Sequence, residues 1–99
     1  MRVPGRSRFH GVVRYFRPER ASGLAVVDLP GEVTAVLGGL KQMRVRGALN
    51  GTEFSSNTMP AGGGVLALSV SRKLLDAAGL HVGDRADVEI ERVDGGSTE

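Results

Sequence analysis

The 99-residue sequence predicts a mostly-β fold, a small barrel of about six short strands with two short helices. Three observations carry that expectation. Residues 65–93, VLALSVSRKLLDAAGLHVGDRADVEIERV, read as strand, short helix, tight turn and strand. The same unit stands earlier, at 24–46, LAVVDLPGEVTAVLGGLKQMRVR, displaced by 41 positions. Asn50–Gly51 between two strand-like runs is the dipeptide that a two-residue type I′ hairpin requires, because both residues tolerate positive φ.

Taken in order, Ser7 to Phe16 reads as the first strand, with Phe9, Val13 and Tyr15 on one face and His10, Val12 and Arg14 on the other. Residues 17–23 are a polar Pro-containing loop. Gly23 to Leu29 is the second strand. Pro30 to Leu37 is a short helix with proline at its first position and Val33, Val36 and Leu37 inward; Gly38–Gly39 stops it. Gln42 to Leu49 is the third strand and Thr52 to Ser56 its hairpin partner. Residues 57–64, NTMPAGGG, are expected to be a flexible connection. Leu66, Leu68 and Val70 then alternate with Ala67 and Ser69. Ser71 is placed to cap the second helix, and Leu74, Leu75 and Ala78 give that helix an apolar side. Gly79 is placed to end it in a left-handed conformation, with Leu80 and Val82 folding back toward the core. After the Gly83–Asp84 turn, Val88 and Ile90 face one way and Asp87, Glu89 and Glu91 the other.

Superposed at the displacement of 41, Val27 falls on Leu68, Pro30 on Ser71, Leu37 on Ala78 and Gly38 on Gly79. Phe9 to Val13 and Thr52 to Ser56 precede the two copies. An internal repeat of this kind predicts two halves related by a pseudo-two-fold axis and closing one barrel. That closure favours a monomer, with a dimer as the alternative.

The length suits one domain spanning 1–99, with its core over about 8–93 and flexible tails at 1–6 and 95–99. Hydrophobic residues make up 40% but aromatics only 4%, so the core is built from Val, Leu and Ala. The absence of cysteine excludes disulfides, thiolate metal sites and a cysteine nucleophile. No apolar run is long enough to span a bilayer, and the basic N-terminus has no apolar core behind it. A soluble, cytoplasmic protein with no membrane association is expected. Charge is uneven: residues 1–20 carry six arginines and one acid, whereas 71–99 carry four bases and seven acids.

The run RVRGALNGTEFSSNTMPAGGGVLALSVSRKLLDAAGLHVGDRADVEIERV (44–93), with the upstream DLPGEVTAVLGG, resembles the small bacterial and archaeal domain-of-unknown-function family 1905. The features shared are Pro30, Val45, Asn50–Gly51, the glycines 62–64, Gly79 and Gly83–Asp84, over roughly residues 8–93. The resemblance implies a double-split β-barrel, a fold shared with AbrB-type and antitoxin-type DNA-binding domains. It implies turns and strands, with no catalytic motif. Some relatives carry a further C-terminal domain linked to bacteriocin resistance, which a chain ending at Glu99 is expected to lack.

The residues name no chemistry. His10 and His81 are too few for a metal or acid–base site, and Asp84 is expected to accept backbone N–H bonds in its turn. Asp87, Glu89 and Glu91 read as a solvated face. Ser55, Ser56 and Thr58 lie near a glycine-rich segment without a base to activate them, and AGGGV lacks the lysine and hydroxyl of a phosphate loop. Arg8, Arg14, Arg17, Arg44 and Arg46 are the candidate polyanion-binding residues, since arginine serves both phosphate contact and guanine readout. Asn50, Gly51, Gly79, Gly83 and Asp84 are expected to be structural turns. No catalytic residue, cofactor or metal is indicated, and the expectation leans away from an enzyme. A non-catalytic binding or accessory module with an unidentified partner comes first. A nucleic-acid-binding regulator using the basic N-terminal half is the alternative, and a small-molecule-binding barrel or enzyme is third.

Overall fold

The computed structural model describes residues 6–17 and 23–93. The strands are β1 (Ser7–Tyr15), β2 (Ala25–Leu29), β3 (Arg44–Leu49), β4 (Thr52–Gly62), β5 (Val65–Val70) and β6 (Arg85–Arg92); the helices are α1 (Gly31–Leu37) and α2 (Arg72–Ala78). All strand neighbours are antiparallel, and the strands close a ring in the order β1-β2-β5-β4-β3-β6. Alternate residues enter the ring. Val13, Val27, Val45, Leu49, Leu66, Leu68, Val88 and Ile90 are fully buried there.

The two long strands are each divided between two sheets. β1 pairs with β6 through Val12 and with β2 from Val13 onward. β4 pairs with β3 through Asn57 and with β5 from Thr58 onward. This is the double-split barrel, and Val13 and Thr58 are its two corners.

The internal repeat is visible in the register. Exchanging β1 with β4, β2 with β5 and β3 with β6 leaves the ring order unchanged. Val27 and Leu68, 41 positions apart, pair directly with each other, as do Ala48 and Glu89. Equivalent residues meet in this way only where a two-fold axis crosses the ring. For β1 and β4 the displacement is 45: both the β1–β2 against β4–β5 ladders and the β1–β6 against β3–β4 ladders require it. Phe9 therefore matches Phe54, with the same low exposure, and Val13 matches Thr58. The sequence places Phe9 to Val13 before one copy and Thr52 to Ser56 before the other, and strand pairing, not spacing, fixes their residue-by-residue match.

The helices begin and end by local chemistry. The Leu74 N–H donates to Ser71 Oγ at 3.0 Å, capping α2. Pro30 is the N-cap of α1 and not its first helical residue, and the Thr34 hydroxyl donates to the Pro30 carbonyl at 3.1 Å. Both helices end in the same motif. Gly38 and Gly79 occupy the C-cap, and the next N–H reaches back five residues, Gly39 to Thr34 and Leu80 to Leu75. With its hydroxyl satisfied, Thr34 joins Val33 and Leu37 on the buried face, which turns Val36 outward to 61% exposure. Val82 is likewise 36% exposed, in contrast to the inward position expected of it, whereas Leu80 is buried.

The Asn50–Gly51 turn forms as expected, with φ of 48° and 84°. Asn50 is held further by its side chain, whose Oδ1 accepts the Asp87 N–H at 2.8 Å. The expected flexible connection at 57–64 is instead strand. β4 continues to Gly62 because β5 needs a neighbour to close the ring, and the absent N–H of Pro60 is absorbed at a register shift between Pro60 and Gly62. Of the tails expected at 1–6 and 95–99, all but Arg6 lies outside the described residues, as do positions 18–22 of the expected loop. Arg6 bonds Glu89 and Glu91.

Candidate functional site

The corners show how the halves differ chemically. At the first, the Val13 N–H donates to the Asp84 carbonyl and the Gly83 N–H to the Val13 carbonyl, while the Asp84 N–H is taken by the His81 carbonyl. At the second, Thr58 N–H donates to the Met43 carbonyl in the matching way, but the Met43 N–H finds no carbonyl. The fully buried Thr58 hydroxyl fills that gap. It accepts from Met43 N–H at 3.0 Å and donates to the Lys41 carbonyl at 3.1 Å. Thr58 is thus structural. The Asp84 carboxylate accepts the His81 N–H at 2.8 Å, the turn role expected of it.

The outer face of β1, β6 and β3 carries the charge. The acids of β6 lie between arginines of both neighbours. Arg8 grips Asp87 through two nitrogens at 2.7 and 3.1 Å. Arg46 bonds Glu91 at 2.9 Å, and Arg6 reaches Glu89 and Glu91 at 3.3 Å. The Arg8 hydrogen bond holds the Asp87 carboxyl below its ordinary range, and the Arg46 hydrogen bond does the same for Glu91. Farther along β1, Arg14 forms a bidentate pair with Asp28 at 2.9 and 3.0 Å, which raises the guanidinium pKa, and it also donates to the Tyr15 and Phe16 carbonyls. Arg17 lies over the Phe16 ring, 5.8 Å from its centre. Arg44 is exposed without a side-chain partner among the described residues. The fold therefore brings Arg8, Arg44 and Arg46 to one face and interleaves them with acids. Arg14 lies on the other side of the β1 corner, beside β2.

A pronounced concavity lies elsewhere. A groove of about 670 Å³ runs between the end of β1, the start of β2, the end of β5 and α2 with the turn after it. Ala25, Val70, Leu75 and Leu80, all buried, contribute its apolar floor. Tyr15 lines it too, with Leu24 and Val82, which are 42% and 36% exposed. Arg72, Asp76 and His81 supply the charged and titratable groups. The His81 ring is 89% exposed, with Nδ1 3.6 Å from Asp84. A smaller hollow of about 350 Å³ lies on the other side of α2, where Ser56 Oγ donates to the Ser69 carbonyl and Lys73 stands nearby.

The groove coincides with the largest departure from two-fold symmetry. Fourteen positions separate Val13 from its partner Val27, but only ten separate Thr58 from Leu68. The link between β1 and β2 is thus four residues longer than its counterpart, and Leu24 near its end lines the groove. Sequence reasoning weighed none of these groove residues as a functional site apart from His81. The signals that pointed there were this length difference and two apolar residues, Leu24 and Val82, beside turns.

Among the described residues no group of three or more His, Cys, Asp or Glu can hold a metal ion. No helix there is long and apolar enough to cross a membrane. The fold and site together define a closed six-strand barrel with an open, apolar-floored groove on one side. The profile of the domain of unknown function family (DUF1905) matches residues 9–90, and the chain belongs to that family. No curated protein matches the chain.

Proposed function

We propose that the protein is a non-catalytic binding module whose ligand seat is the groove beside α2. The observation that carries this reading is the union of an apolar floor and a polar rim at the place where the two halves of the barrel differ. Small-molecule sites have this composition and this range of volume. The charged face is a weaker candidate. Its arginines already hold carboxylates, so a polyanion would have to displace Asp87 and Glu91 before gaining their partners. Ring closure gives every strand two neighbours within the chain, which supports a monomer.

The test uses the ¹⁵N-labelled protein titrated with 1-anilinonaphthalene-8-sulfonate, an amphipathic probe. The amides of Leu24, Ala25, Arg72 and His81 are expected to shift, and Leu24→Glu or Val82→Glu, at exposed positions, to weaken the probe by about tenfold. Shifts spread over the barrel, or confined to the α1 side, refute the reading. Duplex DNA is titrated in parallel at low salt. Binding that falls steeply with added salt and is lost in an Arg44→Ala, Arg46→Ala variant would transfer the function to the nucleic-acid alternative.

A further inference from the structure

We infer that the groove takes a small zwitterion of dipeptide size with apolar side chains; the inference rests on the groove being the ligand seat. Arg72 and Asp76 both line the groove and lie one turn apart on α2. Residues at this spacing are neighbours on a helix surface. Neither side chain has a partner among the described residues. Elsewhere in the molecule an arginine near a carboxylate is paired with it, as at Arg8–Asp87, Arg14–Asp28 and Arg46–Glu91. The order on α2 explains the difference, because an arginine four residues before its acid is the less favourable orientation for a helical ion pair. The groove thus presents a cation and an anion, both uncommitted among the described residues, above an apolar floor.

That arrangement selects by exclusion as much as by attraction. A ligand carrying only an anion would meet Asp76, and one carrying only a cation would meet Arg72. An uncharged apolar ligand would cover both charges and leave each without a partner, a desolvation cost with nothing to offset it. A zwitterion satisfies both. The spacing narrows the class. Side chains one helical turn apart start about 5–6 Å from each other. A free α-amino acid holds its two charges closer than one residue's reach, about 3.5 Å, whereas a dipeptide separates its ammonium and carboxylate by roughly one peptide unit more. The hydroxyl of the half-buried Tyr15, also without a partner among the described residues, is available to the peptide group between them. Leu75, Leu80, Ala25 and Val70 then receive the apolar side chains. The remaining titratable groups near the groove, His81 and its neighbour Asp84, face each other at 3.6 Å.

The experiment measures binding of L-leucyl-L-leucine, its N-acetyl form and its C-terminal amide by calorimetry, with amide shifts to locate each. The free dipeptide is expected to bind in the groove, and capping either end to weaken it about tenfold, the effect of one charge-assisted hydrogen bond at a partly exposed site. Arg72→Gln should weaken the free dipeptide about tenfold without weakening the amide form. Asp76→Asn should weaken it equally without weakening the N-acetyl form. Both positions are exposed, so the fold is retained. Capped forms that bind as well as the free dipeptide overturn the inference, as do variants whose losses ignore which end is capped. If the anilinonaphthalene probe still seats in the groove while no dipeptide binds, the ligand class falls and the groove reading stands. If neither binds there, both fall.

Discussion

Replacing Thr58 by valine changes one oxygen for one methyl at a fully buried site, and its sign separates two accounts of the barrel. If burial of apolar surface were all that mattered, valine would match or exceed threonine, since its symmetry mate is Val13. The hydrogen bonds say otherwise. The Met43 N–H is buried and donates only to Thr58 Oγ1, whereas the matching Asp84 N–H has the His81 carbonyl. Valine leaves the Met43 N–H orphaned, at a cost of about 1–3 kcal/mol. The Lys41 carbonyl is only part-buried and can turn to water, so it adds little. The expected loss is therefore about 2 kcal/mol, or roughly 8–15 °C in Tm for a chain of this size. Thr58→Ser keeps the hydroxyl and gives up one methyl, about 1 kcal/mol. Urea unfolding followed by far-UV circular dichroism gives both numbers. The expected order is wild type, then serine, then valine. A valine variant as stable as wild type would refute the reasoning, because it would mean that the corner N–H can be resatisfied without the side chain.

Two further predictions follow from the same ladders. A Cβ at Gly47 would fall on the Glu89 carbonyl of the neighbouring strand, so Gly47→Ala should cost at least about 3 kcal/mol in urea, while Gly31→Ala, with open space around it in the first turn of α1, should gain about 0.5 kcal/mol. Asp87 and Glu91 have carboxyl pKa values below their ordinary ones; their contribution to stability is complete above the unfolded values and is lost as pH falls through the folded ones. The urea midpoint should therefore decline on acidification below the ordinary carboxylate range, less steeply in Glu91→Gln and less steeply in high salt; a profile unchanged by Glu91→Gln would show that the Arg46 pair contributes nothing.

Much of the fold was legible because its signals are local. Ser71 caps α2 within three residues, Gly79 closes it within four, and Asn50–Gly51 imposes its turn on two. The displacement of 41 was readable for the same reason, since each strand–helix–strand unit is written in consecutive residues, and Val27 against Leu68 bears it out. The residue match between β1 and β4 was not legible because it lies in pairings with other strands. β4 was cut short at Ser56 because its proline and glycines are loop signals until β5 lies beside them.

The candidate site belongs almost entirely to the second category. The five arginines were visible as charges, but whether each was free depended on partners up to 79 positions away, such as Asp87 for Arg8. The groove joins side chains from β1, β2, β5, α2 and the following turn, which no periodicity connects. By itself the sequence determined the elements, their caps and turns, and the two-fold repeat, all of which rest on interactions a few residues long. Only the tertiary structure decided strand register, the buried work of the Thr58 hydroxyl, the pairing of the charged face and the existence of a groove, because each arises where ring closure brings distant residues together.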